Sequence, residues 1–369
     1  MADHALKKLE RSFKRLILGG VERLFPRRRL EPPDWDARPY RVLYLRPDRI
    51  GDMILATPLI RAIAQSHRSI ELDVLASPSN APVLEGNPHV KRVLTWNKKK
   101  WQDLPAVARR LRRGHYDVVI DGMVTAPSVT TMLLILSTGA PYRVGLSGRP
   151  NDAIFTLPVD PGEPDEPVLL TYARTATPFG VSLERFDWSS ELFLRADELG
   201  RAEARWSSAG GSPRIVFNVS AVARDRHWPD DRYVALLAHL RGLAPKAAIV
   251  LTGDPGDWPR VEAIGREAGL AAVNVSPVRE MFALVAAADA VVTPDTSLTH
   301  TATATRTPMA ALYRGNWLRH VPQGVPVIRI VSDGATLESL PAERAMAAMP
   351  ELLVLARDRA ARRTAAPAV

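Results

Sequence analysis

The chain has 369 residues, 46% of them apolar and 24% charged, the balance of a globular protein long enough for two domains. It has no cysteine, which excludes disulfides, thiolate metal sites and cysteine nucleophiles together and fits a reducing cytoplasm. The net charge is +9, but residues 1–30 and 356–369 account for all of it, and the body between them is neutral; a nucleic-acid groove needs its positive charge on the folded body, so nucleic acid is not expected as a partner.

The chain opens on a basic arm, residues 1–40. Leu6, Leu9, Phe13, Leu16 and Ile17 recur at helical spacing between Lys and Arg, and "VERLFPRRR" follows Gly19-Gly20. Residues 1–30 have the pattern of an amphipathic helix lying on an anionic membrane surface; a helix docked on the protein's own body, or a loose tail, is the alternative. No apolar run approaches the ~20 residues that span a bilayer, and no signal peptide is visible.

From residue 41 short apolar runs alternate with helical patterns, which predicts an α/β protein with parallel sheets. Strands are expected at 41–46, 70–76, 91–95 and 117–120, with helices at 52–66, 103–113 and 126–138. "WNKKKW" (96–101) reads as a solvated loop, with contact to an acidic acceptor as the alternative. "PVDPGEPDEP" (158–167) reads as a surface connection, followed by helices near 169–180 and 196–208. The alternation then restarts, with strands at 214–219, 247–252, 289–293 and 309–313 and helices near 230–243, 258–268, 278–287 and 297–305. A last helix spans about 341–363. The expectation is two Rossmann-like domains facing a cleft, 41–180 and 181–340, with a C-terminal helix and basic tail, 341–369.

Ligands of open α/β sheets sit beyond the carboxyl ends of the strands, so the chemistry is sought there. After 289–293 comes "TPDTSLTHTATATRTP": Asp295 lies just past the strand, and Thr296, Ser297 and Thr299 crowd a helix start, with His300 in its first turn. Backbone amides and small hydroxyls make this an anion site suited to a diphosphate. Simple N-capping by Asp295 or Thr296, with His300 solvated, is the plainer reading. After 214–219 comes "NVSAVARDRHWPDDRY", with Ser220 at the strand end and Arg224 and Arg226 behind it. One of these cations can pair with phosphate oxygens; a charged loop anchored by Trp228 is the alternative. In the first half, "RVLYLRPDRIGDMILATPLIRAI" (41–63) is a strand, turn and helix with Asp52 where a phosphate would otherwise sit. With the phosphates on the second half, Asp52 is available to take a proton from an incoming hydroxyl; capping its own helix is the alternative.

Three stretches, "RPDRIGDMILATPLIRAI", "RDRHWPDDRY" and "TPDTSLTHTATATRTP", together with "EGNPHVKRV" (85–93), resemble family 9 glycosyltransferases, the heptosyltransferases of bacterial lipopolysaccharide core synthesis. The resemblance covers roughly residues 41–320. It implies a GT-B fold and an inverting transfer of heptose from ADP-heptose to a lipid-linked saccharide, an inner-core Kdo or heptose, on the cytoplasmic face of the inner membrane. By motif, Asp52 is the expected general base, with Arg49 and Gly51 of the same turn on the acceptor side. Arg226, where the family has Lys, is expected to stabilise the leaving diphosphate, and Asp295 to hold sugar hydroxyls. Ser220, Arg224, Thr296, Ser297 and His300 complete the expected donor site. No cofactor and no metal ligand set are implied. A transferase or epimerase for another nucleotide sugar, and a non-catalytic binding homologue, remain the alternatives.

Overall fold

The computed structural model describes residues 28–124, 128–149, 151–221, 223–315, 319 and 323–365, the side chain of Arg224 excepted. The arm expected at 1–27 therefore lies outside the described residues, as does the start of the helix expected at 126–138. The chain forms two compact units that divide between Trp188 and Ser189, with Ile50–Leu55 grouping with the second.

The first unit is built on a six-stranded sheet. Its strands are β1 (Tyr40–Arg46), β2 (Ile70–Ala76), β3 (Arg92–Thr95), β4 (Val118–Asp121), β5 (Tyr142–Leu146) and β6 (Leu157–Val159). They pair in parallel throughout in the order β3-β2-β1-β4-β5-β6, the order of a dinucleotide-binding Rossmann sheet. Val42, Leu43, Tyr44 and Leu45 of β1 are all fully buried, because a central parallel strand is covered on both faces and so reads as a continuous apolar run. Helices α1 (Ile50–Ser66), α2 (Leu104–Arg112), α3 (Val129–Thr138) and α4 (Val168–Ala173) belong to the connections. Residues 28–35 lie on this body: Leu30 N donates to Thr156 O, Arg29 pairs with Asp152 at 2.9 Å, and Trp35 stacks on Phe179 with ring centroids 4.6 Å apart.

The second unit carries α5 (Ala196–Ala209), β7 (Arg214–Asn218), α6 (Asp230–Leu243), β8 (Ala248–Thr252), α7 (Trp258–Ala268), α8 (Val278–Ala286), β9 (Ala290–Pro294), α9 (Ser297–Ala304), β10 (Met309–Tyr313), β11 (Val327–Val331) and α10 (Ala342–Ala365). The parallel order is β11-β10-β9-β7-β8, the doubly wound arrangement whose switch point lies between its first and third strands, here β7 and β9. One face of this sheet packs Phe217, Leu251, Val292 and Leu312 against α6, α7 and α10. The other packs Val216, Val250, Val291 and Ala311 against α5 and α8. Arg279 of α8 and Glu198 of α5 form a buried ion pair across that second face, and the guanidinium holds the Glu198 carboxyl below its usual range.

Three strands depart from the sequence reading. Pro158 and Val159, expected in a surface loop, lie in β6, and β5 and β11 were not anticipated. β6 and β11 are edge strands. An edge tolerates a proline because one side of its backbone has no ladder partner, and it leaves Arg329 of β11 exposed, so neither strand shows the apolar run of a central one.

Candidate functional site

The second unit brings together the two motif loops that follow β7 and β9. Asn218, the last residue of β7, is buried and holds both. Its side-chain nitrogen donates to Thr293 Oγ1 at 2.9 Å and to Ser220 O at 3.0 Å, while its oxygen accepts from Ser220 N at 3.2 Å. A short turn, Arg224–Arg226, then places Arg226. Its Nη1 donates to the backbone oxygen of Asp295 at 2.8 Å and lies 3.0 Å from Asp295 Oδ2. The loops after β7 and β9 are thus joined by one guanidinium at the switch point of the sheet, where ligands of such sheets bind. Asp295 is 5% exposed, so its charge is carried in a poorly solvated place and Arg226 balances it.

Thr296 is the N-cap of α9, its hydroxyl accepting from Leu298 N at 3.2 Å. Its backbone oxygen accepts from Thr299 Oγ1 at 2.7 Å. Ser297 opens the helix. His300 is buried, 8% exposed, which corrects the picture of a solvated histidine. The amides of this first turn present a partial positive charge beside the Arg226–Asp295 pair, an arrangement able to hold a diphosphate.

The motif residues around Arg226 are structural braces. His227 Nε2 bonds Ala221 O at 2.6 Å and, facing a carbonyl, carries the proton. Trp228 is 1% exposed, donates Nε1 to Leu340 O at 2.8 Å and meets Tyr233 edge-on at 5.0 Å, as the anchoring alternative had it. Asp225 accepts from Arg314, which follows β10 and is itself buried. Ser220 is buried and its hydroxyl has no partner among the described residues, nor has that of Thr252 at the end of β8. Gly253 follows, and a Cβ there would run into Ser220 Oγ and Val261 Cγ2. Gly253→Ala is therefore expected to cost about 1–3 kcal/mol, the usual overpacking penalty, measured by urea unfolding.

In the first chain segment, Arg49 is the extended N-cap of α1 and makes no side-chain cap. Gly51 and Asp52 are the second and third helical residues, and Asp52 is half-buried in the first turn. It is therefore not the N-cap, and a carboxylate in the first turn is stabilised by the helix's free amides. The preceding loop is fixed by Arg46, fully buried at the end of β1, which pairs with Asp48 at 3.1 Å, donates to Gly122 O and Tyr172 OH, and lies over the Tyr172 ring at 4.6 Å.

Sequence reasoning missed Asn218, Arg314 and Arg46. The available signal was position: each is a polar or charged residue ending or directly following an apolar strand, where the chain has no packing reason to carry one. Among the described residues no group of three or more His, Asp or Glu side chains is placed to hold a metal ion.

The profile of glycosyltransferase family 9 (heptosyltransferase) matches residues 104–329, more than half of the chain. The chain belongs to this family. It is 23% identical over 299 residues to lipopolysaccharide heptosyltransferase 2 of Escherichia coli K12, covering 74% of this chain and 82% of that one. Among solved structures it is similar to a family 9 glycosyltransferase of Veillonella parvula (TM-score 0.74, 18% identity, 88% of this chain and 99% of that one). It is also similar to an E. coli heptosyltransferase with ADP-2-deoxy-2-fluoro heptose (TM-score 0.66, 20% identity, 84% and 99%). With its two parallel α/β units, this family 9 member has the GT-B fold and is a glycosyltransferase. Among the described residues no helix is long and apolar enough to cross a membrane.

Proposed function

We propose that this family 9 glycosyltransferase moves a heptose from ADP-heptose to the inner core, Kdo or heptose, of a lipopolysaccharide precursor, with inversion at the anomeric carbon. The observation that carries the reading is the Arg226 bridge to Asp295 beside the N-terminus of α9. It supplies a guanidinium and oriented amides at one switch point, the chemistry a departing diphosphate needs. Family membership and the ligand of the E. coli structure support ADP-heptose as the donor.

In this reading Asp52 takes the proton of the acceptor hydroxyl, whose oxygen attacks the anomeric carbon as the bond to ADP breaks. Arg226 and the first-turn amides of α9 take up the charge that develops on the leaving diphosphate, a role that requires no metal. Asp295 stands close enough to the same place to accept from a sugar hydroxyl while Arg226 balances it. Ser220, Arg224, Thr296, Ser297 and His300 line the donor side, and Arg49 and Gly51 the acceptor side. The basic arm of residues 1–30 holds the enzyme on the anionic cytoplasmic face of the membrane, where a lipid-linked acceptor is found.

The test offers the purified protein ADP-heptose beside UDP- and GDP-sugars, with a Kdo-bearing lipid A acceptor and its heptosylated form. Acceptor-dependent release of ADP from ADP-heptose is the expected result. Release from another nucleotide sugar only would overturn the donor, and absence of any acceptor-dependent release from folded protein would overturn the reading as a whole.

A further inference from the structure

The order of the first sheet reverses between β1 and β4, and three charged side chains stand where these strands end. Two of them are held by neighbouring side chains and by the backbone. Arg46 is held by Asp48, Gly122 and Tyr172. Asp121, 5% exposed, accepts from Met123 N at 3.0 Å and from Asn151 Nδ2 at 2.9 Å, and burial raises its pKa.

The third charged group arrives from outside the strands. Lys98, in the loop after β3, turns its ammonium onto Met123 Sδ at 3.6 Å. Among the described residues no carboxylate lies within ion-pair distance of it. A thioether is a weak acceptor and leaves most of the ammonium's hydrogen-bonding capacity unused. The ammonium is half-buried; desolvation lowers its pKa, opposed by the carboxylates of Asp48 and Asp121. Its neighbours Lys99 and Lys100 are exposed, so solvent is available to this loop, and of the three lysines only Lys98 is partly turned from it. The segment expected to be one solvated loop is therefore divided, with Trp96 buried, Trp101 exposed and Lys98 directed inward.

A desolvated ammonium without a strong partner costs stability, and a residue kept at such a cost marks a site that something else completes. A second unfilled group stands on the same Asp121. Asn151 is 4% exposed, and with its nitrogen committed to Asp121 its side-chain oxygen has no partner among the described residues. One open cation on Met123 and one open acceptor on Asp121, both at the end of β4, fit a molecule that carries both a negative charge and hydroxyl groups.

We propose that Lys98, with Asn151, binds an acidic group of the acceptor saccharide, the ammonium pairing with a carboxylate or phosphate and the amide oxygen accepting from a neighbouring hydroxyl. The inference rests on the transferase reading above for its saccharide acceptor, and it adds to Arg49 and Gly51 residues that meet the acceptor's charge. Binding of the acceptor saccharide, followed by calorimetry without any donor, tests it separately from turnover. Lys98→Met removes the charge at similar volume and keeps the contact with Met123 apolar. It is expected to weaken binding of the anionic saccharide about 10–100-fold, the range for a lost hydrogen bond to a charged group, while ADP binding and melting temperature stay at or above wild type. Lys98→Arg should keep most of the affinity.

Two further acceptors identify the group. One has its carboxyl reduced to the alcohol, the other its phosphates removed. Whichever loses affinity for the wild type, and shows no further loss with Lys98→Met, carries the charge that Lys98 meets. Equal weakening of every acceptor by Lys98→Met, or a fall in melting temperature with loss of ADP binding, would overturn the inference and leave Lys98 a structural residue. Saccharide binding by the wild type that Lys98→Met does not change would overturn it too, with the transferase reading untouched.

Discussion

Asp52→Asn is expected to lower turnover by about 10²–10⁴-fold, the range for a lost general base, with donor binding nearly unchanged. The substitution keeps the shape of the side chain and removes only its ability to accept a proton. The fold should barely respond: Asp52 is the third residue of α1, half-buried, and is not the N-cap. Losing a first-turn negative charge costs about 0.3–1 kcal/mol of helix–dipole stabilisation. Thermal unfolding and calorimetric ADP binding therefore serve as controls, and kcat with saturating donor and acceptor as the readout. Asp52→Glu keeps the carboxylate but moves it by one methylene, and an intermediate rate is expected. Turnover of Asp52→Asn within about tenfold of wild type, less than the smallest loss a general base gives, would remove Asp52 from the chemistry.

How far the sequence carries the structure depends on where a residue lies in the sheet. β1, β7, β9 and β10 are central strands with buried residues on both faces, and their apolar runs made them visible within a residue or two. β6 and β11 were missed because Pro158 and Arg329, which an edge strand tolerates, break their apolar runs, and the run of the inner strand β5 is broken by Arg143 and Gly145. The site shows the same division. Asp52, Arg226, Asp295 and Thr296 could be singled out as candidates because small polar and charged residues at strand-to-helix turns have few structural reasons to cluster. The pairing of Arg226 with Asp295 was not, since the residues are 69 positions apart and only the strand order brings β7 beside β9. Asn218 was hidden for a related reason: an amide at the end of an apolar run looks like a strand terminator until its three hydrogen bonds to Ser220 and Thr293 are seen. Lys98 was masked by its own neighbours, since a run of three lysines reads as a solvated face until one of them turns inward.

Arg226→Met should reduce both stability and catalysis, and the two losses have separable causes. Asp295 keeps only 7% of its side chain exposed and Arg226 17% of its own. Removing the guanidinium takes the counter-charge from a poorly solvated carboxylate, which costs about 3 kcal/mol, the low end of the range for a broken buried pair. The catalytic loss has another origin: a cation aimed at the leaving diphosphate is absent when the charge develops, expected to cost about 10²–10³-fold in kcat. Arg226→Lys separates the effects. An ammonium still neutralises Asp295, so stability should return nearly to that of the wild type. Its single charge cannot hold the Asp295 backbone oxygen, the carboxylate and a phosphate in the fixed fork of a guanidinium, so kcat should recover only in part. The double variant Arg226→Met/Asp295→Asn gives the complementary result, because it leaves no buried charge unpaired. Urea unfolding should show it more stable than Arg226→Met alone, with turnover no better. If Arg226→Met and the double variant unfold at the same urea concentration, the ion pair is not what joins the two loops, and the join must be credited to Asn218 and Thr293. If stability falls as expected while kcat stays within a few-fold of wild type, Arg226 holds Asp295 in place and the charge of the leaving group is met by the amides of α9.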